Sequence, residues 1–281
     1  MPLALTVKYN GLHSRVYIWG QEDRPPLLLL HDGMYGADAL TAWDQVAPIL
    51  AEKYFVIAPD LLGFGQSDKV VFLDRSPYLP RLDQVEGLFE TFSLKQPCHV
   101  VGTSFGGSLA LRTLERQRVP LASVIAISGT GGPWRVPAGI AALNDYPQPD
   151  LEKMAQLLGY VTGPYAGFEQ LVQRRYQNTL IPGHFEAIAA MGLRNPASPR
   201  SSNSADAYPA TLQPITTPVM LISGAQDPLL ERDWAEKLAG CLSSAPVTVE
   251  TLATGHSPNL DHAALTASTL LAFLESQGMT R

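Results

Sequence analysis

The sequence predicts an α/β architecture: a mostly parallel central sheet flanked by helices and interrupted by an inserted helical lid. Three observations carry this prediction. Short runs of Leu, Val and Ile recur along the chain and end in Gly, Asp or Ser. Segments with helical apolar spacing lie between them, and from about residue 133 to 214 the alternation gives way to short helical stretches broken by Gly and Pro. With 281 residues and 46% hydrophobic content, the chain can bury one large core.

Residues 5–9 and 16–19 form an antiparallel opening hairpin, since Asn10-Gly11 is a turn signal. Residues 26–32, 54–60, 98–104, 123–129 and 219–224 are apolar on both faces, the pattern of strands buried in a parallel sheet. Helical spacing at 42–53, 82–92, 108–117 and 231–242 supplies the crossovers. The insertion offers helices near 151–158, 165–177 and 185–193, followed by a Ser-, Pro- and Asn-rich return linker at 195–209. A last strand at 247–252 precedes a terminal helix. Residues 1–132 and 215–281 thus make the core, and 133–214 the lid and its return linker.

Lys and Arg number 20 against 26 Asp and Glu, a net charge of −6 with no long block of one sign, which argues against a nucleic-acid partner. The first twenty residues lack the basic start and apolar stretch of a secretory signal, and no apolar run approaches the roughly 20 residues of a membrane span. A soluble, cytoplasmic protein without a membrane partner is expected. Of the two cysteines, Cys98 falls in an apolar strand-like run, where a buried, reduced thiol is the ordinary state.

The strongest chemical signal is Gly102-Thr103-Ser104-Phe105-Gly106-Gly107, placed directly after a strand and before a helix. In this context G-x-S-x-G is a nucleophile elbow: a sharp turn lifts the hydroxyl above the sheet, and small neighbours permit close backbone approach. An alcohol needs a base, and the base needs an orienting acid. Asp227, after strand 219–224, and His256, after strand 247–252, supply both in the order Ser, Asp, His. A helix N-cap is the structural role open to Asp227, but the turn 128–132 offers no rival acid. His262 falls in the last helix, and His13, His99 and His184 lack comparable context. The backbone N–H of Phe105 faces a forming oxyanion, and the turn His31-Asp32-Gly33-Met34 offers a second donor from Gly33 or Met34. The His31 side chain is assigned to shaping that turn. Tyr146, Leu158, Tyr160, Tyr165, Phe168 and Met191 in the insertion are candidate walls of an apolar pocket, with helix packing as their ordinary alternative. No metal or organic cofactor is required, and the expected partner is a small, partly apolar substrate.

Together with the segment Val56-Ile57-Ala58-Pro59-Asp60-Leu61-Leu62-Gly63-Phe64-Gly65-Gln66-Ser67-Asp68, these motifs resemble the α/β-hydrolase superfamily, and most closely its lidded esterases and meta-cleavage product hydrolases. The resemblance implies the α/β-hydrolase fold and a Ser-His-Asp serine hydrolase. The chain departs from the pattern at Asp32, where glycine is common, and at Thr103 and Ser257, where the carbon-carbon hydrolases usually carry Asn and Trp. Their lid arginine has no assured counterpart among Arg174, Arg175 and Arg194. Ser104 itself separates the chain from relatives that attack with aspartate. These residues imply hydrolysis of a carboxylic ester or related acyl compound, with carbon-carbon cleavage of a vinylogous keto acid as the alternative. A cofactor-independent oxygenase or a non-catalytic small-molecule binding protein is the reading of another class.

Overall fold

The computed structural model describes residues 1–193 and 206–278. Strands β1 (Leu3–Tyr9) and β2 (Leu12–Trp19) form the opening hairpin, with Tyr9 opposite Leu12. Asn10 and Gly11 turn it at φ 49° and 84°, the paired positive values that a two-residue hairpin turn demands. Next come β3 (Pro26–Leu30), the short helices α1 (Ala39–Trp43) and α2 (Ala47–Leu50), β4 (Phe55–Pro59) and α3 (Tyr78–Thr91). After them run β5 (Cys98–Thr103), α4 (Phe105–Arg116) and β6 (Leu121–Ile127). The insertion follows as α5 (Pro137–Asn144), α6 (Leu151–Val161), α7 (Phe168–Thr179) and α8 (His184–Ala189), ending in a 3-10 turn at Ala190–Gly192. The chain then completes the core with β7 (Val219–Gly224), α9 (Trp234–Cys241), β8 (Val247–Leu252), α10 (Pro258–Asp261) and α11 (Ala263–Ser276).

Among the described residues the eight strands are ordered β1-β2-β4-β3-β5-β6-β7-β8, and from β4 to β8 all pairings are parallel. Strands β3, β4 and β5 are buried on both faces, which explains their unbroken apolar sequences. Two apolar clusters cover the sheet. One gathers α3, α4 and α9 with Met154, Leu157, Leu158 and Val161 of α6 and Leu171 of α7; the other gathers Trp43, Leu50 and the α11 side chains Leu270 and Leu274. Cys98 is wholly buried at the start of β5, between β3 and β6, and both cysteines are free thiols.

The single helix expected at 42–53 is two. The chain turns at 44–46, and Pro48 falls in the first turn of α2, where its missing N–H is harmless; inside one continuous helix it would have broken the ladder. Helix α5 was not expected from the sequence. The return linker expected at 195–209 lies largely outside the described residues, as does Arg194. No described helix is long and apolar enough to cross a membrane.

Candidate active site

In a parallel sheet every strand ends at the same edge, and here that edge collects the loops after β3, β5, β6, β7 and β8. Ser104 follows β5 and begins the turn into α4 at φ 54°, ψ −115°, held by its N–H donating to the Ile127 carbonyl at 2.7 Å. The turn is possible because its neighbours lack side chains. A Cβ on Gly102 would stand 2.0 Å from the Gly106 carbonyl oxygen, and one on Gly106 would stand 2.3 Å from that of Leu30. These contacts let β3, β5 and α4 approach closely enough to lift the serine above the sheet.

His256, in the loop after β8, places Nε2 2.8 Å from Ser104 Oγ and Nδ1 2.7 Å from Asp227 Oδ2. The tautomer satisfying both contacts carries its proton on Nδ1, donates it to Asp227, and accepts from the serine hydroxyl. Both the His256 and Asp227 side chains are almost fully buried. The other carboxylate oxygen of Asp227 accepts the Leu229 N–H at 2.8 Å, a local turn rather than the helix cap that its sequence permits, since α9 starts only at Trp234. His262, the rival histidine, stands at the N-cap position of α11, where its partly exposed ring pairs with Asp261 and not with the helix. Of the other histidines, His99 is buried against Ser123 and His184 accepts the Gly36 N–H.

Phe105 is the first residue of α4, so its N–H has no acceptor within the helix. Opposite it, a Cβ on Gly33 would lie 2.8 Å from the Phe105 Cβ, so the two candidate donors stand together. Met34 drops out: its N–H donates to Asp32 Oδ1 at 3.0 Å. Gly33 therefore remains as the candidate partner of Phe105. The Asp32 charge beside this position is neutralised. Arg175 of α7 donates Nη1 to Oδ1 at 2.9 Å and Nη2 to Oδ2 at 2.7 Å. Burial opposes the carboxylate, but Arg175, aided by His31 and the Met34 amide, outweighs it and holds the group at about 2. His31 is neutral, because burial lowers it to about 4. Its Nδ1 meets the Asp32 carbonyl at 2.6 Å and its Nε2 accepts the Leu61 N–H at 2.9 Å, so the ring shapes the turn.

A cavity of about 310 Å³ opens beside Ser104 and His256. Its apolar walls include Tyr78, Phe105, Ile140, Leu143, Leu229 and Leu230, with Ser128, Thr130 and Arg135 among its polar ones. Of the insertion residues predicted to line a pocket, Met191 does so here. Tyr146 is buried against Tyr35 and Phe185, with its hydroxyl donating to the Asp150 carbonyl, and Leu158 is core. Tyr160 is exposed, while Tyr165 and Phe168 border a separate hollow over residues 159–170. Aromatic composition names no helix face, which is why these were misplaced; Leu229 and Leu230, by contrast, were signalled by their position just past Asp227. Thr103 is not among the residues lining the cavity and donates to Asn259 Oδ1 at 3.1 Å, while Ser257 N–H donates to the Val161 carbonyl at 3.0 Å.

The family model described as "Alpha/beta hydrolase family" matches residues 27–269. Among curated relatives, the 2-hydroxymuconate semialdehyde hydrolase of Pseudomonas sp. (strain CF600) is 28% identical over 252 residues, 89% of this chain and 86% of that protein. Among solved structures, the 2-hydroxy-6-oxo-6-phenylhexa-2,4-dienoate hydrolase from Rhodococcus sp. strain RHA1 superposes with a TM-score of 0.83 at 26% identity, over 98% of this chain and 99% of that one. A carboxylesterase from Bacillus subtilis shares the fold, with a TM-score of 0.74 at 17% identity over 98% of this chain and 92% of its own.

Proposed function

Because this chain belongs to the alpha/beta hydrolase family, we propose that it cleaves an acyl bond with Ser104 as nucleophile, His256 as general base and Asp227 as the orienting acid. The observation that carries this reading is the continuous path from Ser104 Oγ through His256 to Asp227, at 2.8 and 2.7 Å, beside a cavity. Ser104 Oγ adds to the substrate carbonyl as its proton passes to His256 Nε2, and Asp227 stabilises the imidazolium. The N–H groups of Phe105 and Gly33 hold the resulting oxyanion, each contributing on the order of 3 kcal/mol. Collapse of this intermediate expels the leaving group, which takes the proton from His256 and leaves an acyl-serine. Water, deprotonated by His256, then releases the acid and restores the Ser104 proton.

The leaving group we assign is a carbanion conjugated with a keto acid, so that the bond broken is carbon-carbon. Relatives named as hydrolases of 2-hydroxymuconate semialdehyde and of 2-hydroxy-6-oxo-6-phenylhexa-2,4-dienoate support this choice over ester hydrolysis, the first expectation from the sequence. Ester hydrolysis remains as a second reading on one observation: Arg175, a buried cation of the insertion, gives Nη1 and Nη2 to Asp32 and is not among the residues lining the cavity beside Ser104, where a substrate carboxylate would have to meet it. Turnover of a vinylogous 2-hydroxy-6-keto acid measured beside short p-nitrophenyl esters decides between them. Dominant turnover of the keto acid is expected, and turnover of the esters alone reverses the assignment. A fluorophosphonate probe is expected to label Ser104; no labelling, with a Ser104→Ala variant still active, sinks the serine mechanism in favour of oxygenase or binding roles.

A further inference from the structure

The mechanism leaves one buried charge pair without a role. Arg175 and Asp32 are both buried, lie 143 residues apart in sequence, and meet through two parallel hydrogen bonds. Asp32 directly precedes Gly33, and its Oδ1 also accepts the N–H of Met34, which directly follows. One carboxylate therefore brackets the Gly33 peptide on both sides.

The same inserted helices hold the rest of this loop. Asn178 of α7 donates to the Gly36 carbonyl at 2.9 Å and to Asp38 Oδ2 at 2.8 Å, and His184 of α8 accepts the Gly36 N–H at 3.0 Å. Gly36 sits against the Arg175 backbone so closely that a Cβ there would stand 2.1 Å from the Arg175 carbonyl oxygen. The two proposed oxyanion donors thus belong to differently supported parts of the molecule. Phe105 N–H is fixed by the turn between β5 and α4, whereas Gly33 N–H is fixed by a loop clamped from the insertion. A donor pair acts on an oxyanion only when both amides point at one place, and a misplacement of about 1 Å can cost about 100-fold in rate.

The geometry points to Arg175 and Asp32 as positioning residues: the insertion sets the Gly33 amide through this ion pair. The inference rests on the serine-hydrolase reading and goes beyond it, because it gives the insertion a part in the chemical step as well as in shaping the cavity. A planar guanidinium fork matches a carboxylate in two contacts at once, which fixes orientation as well as distance. Loss of either partner leaves the loop attached through Gly36 and Asp38 but frees the Gly33 peptide to rotate.

The test uses the full chain and whichever p-nitrophenyl ester or keto acid it turns over. Asp32→Asn and Arg175→Met are each expected to lower kcat by about 10- to 100-fold, with KM changing less than about 3-fold because the cavity walls are intact. The double variant should be no slower than the slower single one, since both changes break one device. In Asp32→Gly, added formate should restore kcat by occupying the Arg175 fork, whereas Arg175→Met should not respond. Arg175→Lys keeps the charge without the fork and should recover only part of the rate, which provides the readout if Asp32→Gly does not fold. Wild-type kcat in the single variants, or losses that multiply in the double variant, would overturn the inference; so would a folded Asp32→Gly that ignores formate. Fluorophosphonate labelling separates the two levels: if Ser104 is labelled in the wild type, any of these failures falls on the positioning role alone, and if Ser104→Ala stays active, both readings fall.

Discussion

Ser104 occupies a backbone conformation, φ 54° and ψ −115°, that a residue with a side chain adopts at a cost on the order of 1–3 kcal/mol. Glycine carries no such penalty. Ser104→Gly is therefore expected to raise the thermal unfolding midpoint while abolishing turnover, and an unchanged or lowered midpoint would remove strain from the account of the elbow. Asp227→Asn keeps the shape but favours the wrong His256 tautomer, and kcat should fall about 10⁴-fold, as steady-state kinetics can show. The proposed triad was legible because each member follows a strand at one sheet edge, a context visible in linear sequence. The Asp32 to Arg175 pair was not. Read alone, Asp32 is a charge in an awkward place and Arg175 one of several cations in the insertion, and only the packing of α7 over the β3 loop joins them.

At the scale of elements, the β5-turn-α4 unit depends on the absence of one methyl group. A Cβ on Gly106 would meet the Leu30 and His31 carbonyl oxygens at 2.3 and 2.5 Å, and backbone atoms in a sheet have little room to yield. Gly106→Ala should cost more than about 3 kcal/mol in chemical denaturation, much of it from separating α4 from β3. In the insertion, Asp150 caps α6 by accepting the Lys153 N–H at 2.7 Å, so Asp150→Ala should cost about 1 kcal/mol without touching the triad. Strand positions were readable because burial on both faces leaves unbroken apolar runs; the runs at 219–224 and 247–252 match β7 and β8, whereas those ending at 32, 60, 104 and 129 go one or two residues too far at the edge that carries Ser104. Thr103 is the last residue of β5 and Ser104 already belongs to the turn. Helix α5 escaped notice because it opens with Pro137, contains Gly139 and buries little else, so its sequence resembles a loop.

At the scale of the whole molecule, buried histidines couple the fold to pH. Burial lowers His31 and His99 to about 4 and His184 to about 3, so all three are neutral when folded and take up protons on unfolding below about pH 6.5. Their contribution is complete above that pH and is lost as pH falls toward about 4. Asp60 acts in the opposite sense: burial and the neighbouring Asp38 raise it to about 7, so its contribution is complete at low pH and fades as pH rises through about 7. The histidines prevail in number, and stability should be about 3 kcal/mol lower at pH 5 than at pH 7, measured from urea midpoints. A flat profile would show that these rings are hydrated in the folded state. The position of Cys98 provides an independent clock for the same opening. Its thiol lies at the start of a central strand, with burial raising it to about 12, whereas Cys241 at the end of α9 is only half-buried. Under native conditions Ellman's reagent should titrate Cys241 first. The much slower second equivalent would then time how often the centre of the sheet comes apart.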